Sequence, residues 1–182
     1  MKPLLKLLFA FILIFTCNSA YTQKPKEFQE PAGKGDLEAV KKAIEKGGKV
    51  DKLDAAGQTA LMWASEGGHM EVIKYLIEKG ADVNIVSNKY GRGSAMIYAA
   101  AAGRLEVVQY LVDHGANINA TSTSQNETAL IWAVAMGHPD IVKYLLEKGA
   151  DQTIINKNKE NAIDVAKKVN RADMIKLLEE NK

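Results

Sequence analysis

The side chains of this 182-residue chain that could announce catalysis or metal binding are few: three histidines, one cysteine and scattered carboxylates. Ser65 and His69 stand four apart, the separation of a nucleophile and its base on one helical face, but the helix is expected to end between them at Gly67-Gly68. His69 and His138 each follow a glycine, His114 precedes one, and Cys17 lies in an apolar leader, so metal-ligand spacing is absent. No phosphate-cradling glycine loop or dinucleotide fingerprint is present. Neither enzyme chemistry nor a cofactor is expected. The chemistry-bearing residues that do recur are aromatic: Trp63, Tyr98 and Trp132 follow one another at intervals of 35 and 34. Large rings at a groove anchor partners at little entropic cost, and these three, extended by Met136, are expected to form a protein-binding stripe. The alternative is that the rings lie flat along their own helices, filling gaps beside projecting turns. Their solvent exposure decides between the two.

The aromatic interval belongs to a longer pattern. Gly80, Gly115 and Gly149 each open a Gly-Ala-Asp or Gly-Ala-Asn triplet, with Gly47-Gly48-Lys49 in the equivalent earlier place, at spacings of 33, 35 and 34. Gly35, Gly68, Gly103 and Gly137 march in step, with Asn170 where a fifth would fall. A third register holds Thr59-Ala60-Leu61, Ser94-Ala95-Met96, Thr128-Ala129-Leu130 and Asn161-Ala162-Ile163. Three registers sharing one period define a repeat array. Thr59 and Thr128 are expected to cap a short first helix. Alanines at 60, 64, 95, 99, 129 and 133 keep that helix thin enough for close stacking. Gly68, Gly103 and Gly137 permit the positive φ of a helix-ending turn. A second helix then buries Val, Ile and Leu at i, i+3 and i+4 on its neighbour. At 100° per residue, Ala60, Leu61, Ala64 and Ser65 cluster on the packed face, which puts Trp63 at the inner side or its margin.

The run from Gly57 to Asn84, Gly-Gln-Thr-Ala-Leu-Met-Trp-Ala followed by Gly-His-Met-Glu-Val-Ile and Gly-Ala-Asp-Val-Asn, closely resembles the ankyrin repeat. The resemblance covers residues 33 to 182, with full copies at 54–86, 87–120 and 121–153 and half-matching end units at 28–53 and 154–182. It implies an all-α solenoid of stacked helix pairs with projecting β-turn loops, and function through protein contact at the turn tips. Here those positions include Gln58, then Lys89, Tyr90 and Arg92, then Ser124, Gln125 and Glu127, and finally Lys157. The spacings of 35 and 34 are expected to lengthen two turns. Pro31 stands where a packing alanine belongs, which puts the first helix of the opening unit in question. Asn126-Glu127-Thr128 has the form of a glycosylation acceptor, although Thr128 reads as a cap.

The remaining expectations concern compartment. Lys2 and Lys6, the apolar stretch Leu7 to Phe15 and the small or polar tract Thr16 to Ala20 have the order of a secretory signal peptide, of bacterial type. Nine apolar residues are too few for a transmembrane helix, which needs about 20. The expectation is an exported protein, periplasmic or secreted, with an outer-membrane lipoprotein acylated at Cys17 as the alternative. Residues 21–30 are expected to be a mobile tether and the molecule a monomer. With 24 basic against 22 acidic side chains, nothing points to nucleic acid. The expected function is a non-enzymatic protein-binding adaptor. Its rivals are an accessory protein for an exported enzyme, such as a stress-defence enzyme, and an effector that contacts a host or neighbouring cell.

Overall fold

The computed structural model describes residues 28–87 and 93–181. The leader, Cys17 and residues 21–27 lie outside them. Residues 28–30, the end of the expected tether, belong to the fold instead: Phe28 and Gln29 are buried, and Gln29 Nε2 donates to the Lys52 carbonyl at 2.7 Å.

Ten helices form five antiparallel pairs among the described residues: α1 Gln29–Lys34 with α2 Leu37–Glu45, α3 Ala60–Gly67 with α4 Met70–Glu78, α5 Ala95–Ala101 with α6 Leu105–Asp113, α7 Ala129–Met136 with α8 Pro139–Glu147, and α9 Ala162–Lys168 with α10 Ala172–Glu180. None is long and apolar enough to cross a membrane. The fold is all-α. The first helices start where the capping residues stand. Thr59 Oγ1 accepts from the Met62 amide and Thr128 Oγ1 from that of Ile131, each at 3.2 Å. Asn161 and Asp164 cap reciprocally, while the Ser94 hydroxyl makes no cap bond. Gly68 closes α3 at φ 79°, and Asn170 takes the equivalent place at φ 59°, where its short amide tolerates the left-handed region. Contrary to the expectation from Pro31, α1 forms. Pro31 is its third residue, in the first turn, where no intrahelical N–H bond is forfeited.

Packing follows from side-chain size. The alanines at 60, 64, 95, 99, 129 and 133 in α3, α5 and α7 are each at most 2% exposed, as are Leu61 and Ser65. Such thin faces let the first helices lie closely on one another, whereas the second helices touch only lightly. The stack therefore curves, with the first-helix layer inside. Each internal second helix still buries three aliphatic residues, such as Val72, Ile73 and Leu76 of α4. Each such side chain contributes roughly 1.5–3 kcal/mol on leaving water. The ends are thinned or made polar. Ala39 and Ala43 of α2 stand where α4 carries Val72 and Leu76; Asp164 and Lys167 of α9 stand where α3 carries Met62 and Ser65.

Two rows of hydrogen bonds join successive units. After Gly68, Gly103 and Gly137 a long side chain reaches back: the His69 Nε2–H donates to the Gly33 carbonyl at 2.8 Å, Arg104 Nε to that of Glu66 at 3.2 Å, and His138 Nε2–H to that of Ala101 at 3.3 Å. His69 and His138 thus tie one unit to the one before it. In the second row, side-chain oxygens of Asp51, Asn84 and Asn119 accept from the backbone N–H of Asp82, Asn117 and Asp151 in the following unit. Burial pushes the Asp51 carboxyl up, its bond from the Asp82 amide pulls it down, and the Asp82 charge pushes it up again.

Two predictions follow from these contacts. Thr59→Ala and Thr128→Ala should each cost about 1 kcal/mol in urea unfolding, and Ser94→Ala distinctly less; equal losses at all three sites would contradict the capping assignment. Asp51→Asn, which matches the other two rungs, should raise the melting temperature at neutral pH. Because the folded-state pKa of Asp51 is raised, its charge destabilises above that pKa and costs nothing below the unfolded value. The gain should accordingly fade as pH drops through the carboxylate range in thermal melts, and a gain independent of pH would refute its electrostatic origin.

Candidate protein-binding surface

Between one unit's second helix and the next unit's first helix the chain makes a projecting finger. Each closes at its base: the backbone N–H groups of Asp54, Ser87, Ser122 and Asn156 donate to the carbonyls of Gln58, Gly93, Glu127 and Glu160 at 2.9, 3.1, 2.9 and 2.9 Å. The enclosed segments differ in length, and the longer second and third fingers absorb the extra residues of the 35- and 34-residue spacings. In the first, third and fourth fingers the opening side chain also organises the loop. Asp54 Oδ1 accepts from Ala56 and Gln58, Ser122 Oγ from Gln125 and Glu127, and Asn156 Oδ1 from Asn158 and Glu160. Aspartate, serine and asparagine all supply such an oxygen, which is why these positions stay in register without sharing an identity. Sequence reasoning passed over them, although their common period was the available signal.

The fingers are tied side by side. Ser87 Oγ donates to the Ala56 carbonyl at 3.4 Å, Thr123 Oγ1 to that of Ser87 at 2.9 Å, and the Lys157 amide to that of Gln125 at 2.9 Å. Asn126 Nδ2 donates to the Ile155 carbonyl at 2.7 Å and Thr128 is a buried cap, so the acceptor-like tripeptide serves the fold.

Of the expected surface residues, Trp63 and Trp132 are half-buried on the inner side. Trp63 lies against Gly33 of the opening unit, where a methyl group would come within 3.0 Å of its Cε3, and its Nε1 donates to Asp54 Oδ2 at 3.0 Å. Asp54 therefore holds both the finger and the ring. Tyr98 is different: it is only 3% exposed, and Gln58 Nε2 of the preceding finger hydrogen-bonds its hydroxyl. The stripe expected from helical angles is thus broken at its middle, with a half-buried indole on either side of a covered phenol. Met136 is half-buried at the end of α7. Gln58 and Glu127 lie at finger bases and not at tips, because their carbonyls close the loops. Ser124 is half-buried, whereas Gln125 and Lys157 are exposed. Lys157 Nζ also reaches the Thr123 carbonyl at 3.4 Å. Lys89, Tyr90 and Arg92 lie outside the described residues.

Glu127 is the electrostatically perturbed group here. Burial pushes its carboxyl up, the Glu160 charge adds to this, and the adjacent Trp132 indole pulls the other way. Glu160 is held below the usual carboxylate range chiefly by Lys168, whose Nζ lies 2.6 Å from its Oε1; partial burial opposes this and Asn156 supports it. Among the described residues no three His, Cys, Asp or Glu side chains are grouped to hold a metal ion.

A curved row of helix pairs with finger turns, bound edge to edge by a period-matched ladder, defines a repeat-type scaffold. A family model of ankyrin repeats in three copies matches residues 30–122 and 120–182, and the chain belongs to that family. It is 56% identical over 50 residues to the E3 ubiquitin-protein ligase Ufd4 of Drosophila melanogaster, covering 27% of this chain and 2% of that one. It is 39% identical over 59 residues to the human DNA-binding protein RFXANK, covering 32% of this chain and 23% of that one. With human ankyrin repeat domain-containing protein 40 it shares 35% over 75 residues, covering 40% and 20% respectively. The chain thus spans less than a quarter of the length of each of these relatives.

The half-buried Glu127 carboxyl gives a test. Glu127→Gln keeps an acceptor beside Trp132 and removes the charge facing Glu160, so the variant should unfold at a higher temperature at neutral pH. Since the folded pKa of Glu127 is raised, protonation relieves the wild type as pH falls through that value, and the two melting curves should converge in acid. A wild type that remains less stable than the variant at every pH would argue against this account.

Proposed function

We propose that this chain is an exported, non-enzymatic adaptor that binds another protein with the inner face of its array and the exposed finger tips. Ankyrin repeats generally mediate protein–protein interaction, and such repeats make up residues 30–182 of this chain. The single observation that carries the reading is the pair of half-buried indoles, Trp63 and Trp132, held at one repeat position by the first-helix layer. A scaffold that needs no ordering on contact keeps more of its interaction energy as affinity. Export rests on the basic, apolar and small-residue order of positions 1 to 20. Acylation at Cys17 is the lipid-anchored form of the same reading.

Affinity capture from an exported fraction tests it. The wild-type chain should retain a defined partner, and Trp63→Ala with Trp132→Ala should weaken that complex at least about tenfold, while Gln125→Ala with Lys157→Ala probes the tips. Circular dichroism establishes that each variant is folded. Equal retention by wild type and both folded variants would remove the surface from the function.

A further inference from the structure

The joints between successive units are not held by the same chemistry. His69, Arg104 and His138 each reach back across one of the first three, and the neutral amides of Asn84 and Asn119 span the second and third. At the fourth joint the corresponding side chain is Arg171, which lies against Gly137, and residues 154–182 contain no histidine. The groups that titrate across this joint in mild acid are carboxylates.

The third and fourth fingers meet here. The Lys157 amide donates to the Gln125 carbonyl at 2.9 Å, and Asn126 Nδ2 to that of Ile155 at 2.7 Å. At the bases of the same two fingers stand Glu127 and Glu160, each the residue whose carbonyl closes its own loop. Both are half-buried, so water screens their like charges less than it would at the surface. Their partners differ. Lys168 Nζ lies 2.6 Å from Glu160 Oε1 and Asn156 Nδ2 lies 3.3 Å from its Oε2, whereas Glu127 has the neutral Trp132 indole beside it. Among the described residues the charge that acts on Glu127 is that of Glu160. Lys168 is engaged with Glu160, Lys157 Nζ turns to the Thr123 carbonyl, and Asp164 Oδ2 accepts from the Asn161 amide at 3.1 Å.

Two like charges set so unequally take up their protons in separate steps. Burial, and then the Glu160 charge, raise the Glu127 carboxyl, so the first proton goes there; Lys168 lowers that of Glu160, which takes the second. Between the steps the repulsion across the fingers is gone, a neutral carboxyl able to donate stands opposite a carboxylate, and Lys168 still holds Glu160. After the second step Lys168 has lost its partner.

We propose that the joint between the fourth and fifth units is a proton-operated latch, in which a proton on Glu127 draws the fourth finger and the closing helix pair onto the array and a second, on Glu160, releases them. The closing unit has one neighbour, so a small change at its only joint decides how ordered it is. Gln125 and Lys157 stand on the two sides of the joint, and the latch sets whether those tips form one continuous edge. The stability effect of Glu127 is thereby assigned to a single interface, independently of any partner.

The test is hydrogen exchange of the full chain, read by mass spectrometry from about pH 7 to about pH 3.5, a range that brackets the ordinary carboxylate values, with intrinsic exchange rates divided out. Protection of residues 154–181 relative to residues 95–147 should rise by up to about fivefold on mild acidification, the scale of one partly exposed charge contact. It should then fall below the ordinary carboxylate range. Glu127→Gln should show the raised protection already at neutral pH and no further rise, and Lys168→Gln should bring the fall to higher pH. Carboxyl carbon NMR supplies a readout that does not need the Glu127 variant to fold: the Glu127 carboxyl of the wild type should titrate at lower pH once Glu160→Gln removes the facing charge. A flat wild-type profile, a rise shared equally by all units, a wild-type rise kept by folded Glu127→Gln, a fall unmoved by Lys168→Gln, or a Glu127 titration indifferent to Glu160→Gln would each overturn the proposal.

Discussion

The close approach of the first helices is the constraint on which everything else depends. The buried alanines at 60, 64, 95, 99, 129 and 133 leave so little bulk between α3, α5 and α7 that successive units meet closely on one side, while the Val, Ile and Leu side chains of the second helices hold the other side apart. Curvature, the inner face and the alignment of the fingers all follow from that difference in thickness. A larger side chain in this layer would have to displace a whole neighbouring unit, since packed interiors do not yield locally.

Much of this was legible in the residues because a repeat states each rule several times. The capping threonines, the helix-ending glycines and Asn170, the alanine face and the place of the extra turn residues all agree with the structure. Pro31 misled because proline is a breaker only in a helix interior, and the opening helix is short enough to hold it in the first turn. Tyr98 misled for another reason. It shares the register and helical angle of Trp63, yet its exposure is set by Gln58, a residue 40 positions away whose reach no local period encodes. Finger closure stayed hidden because chemistry, and not residue type, is conserved along Asp54, Ser122 and Asn156.

The same rule shapes the candidate binding surface. The scaffold's own polar groups are largely satisfied within or between fingers, which leaves the rings and a few carboxylates as the features that differ from one unit to the next. Trp63 and Trp132 look alike in sequence but stand in unlike settings, one against Gly33 with Glu66 nearby and the other beside a perturbed Glu127 with Met136. Selectivity in such an array lies in these small inequalities between otherwise equivalent places.

The hydrogen bonds that join neighbouring helix pairs through Asp51, Asn84, Asn119, His69, Arg104 and His138 span between 31 and 38 residues. Each therefore closes a loop of a single period, and the entropy of closure never grows with the length of the chain. Assembly can nucleate in any well-formed pair and zip outward in either direction, and loss of order begins at whichever end has the weaker cover. Cooperativity is consequently a matter of neighbours, so a blow to one terminal unit is felt fully by the next and only faintly by the unit beyond it.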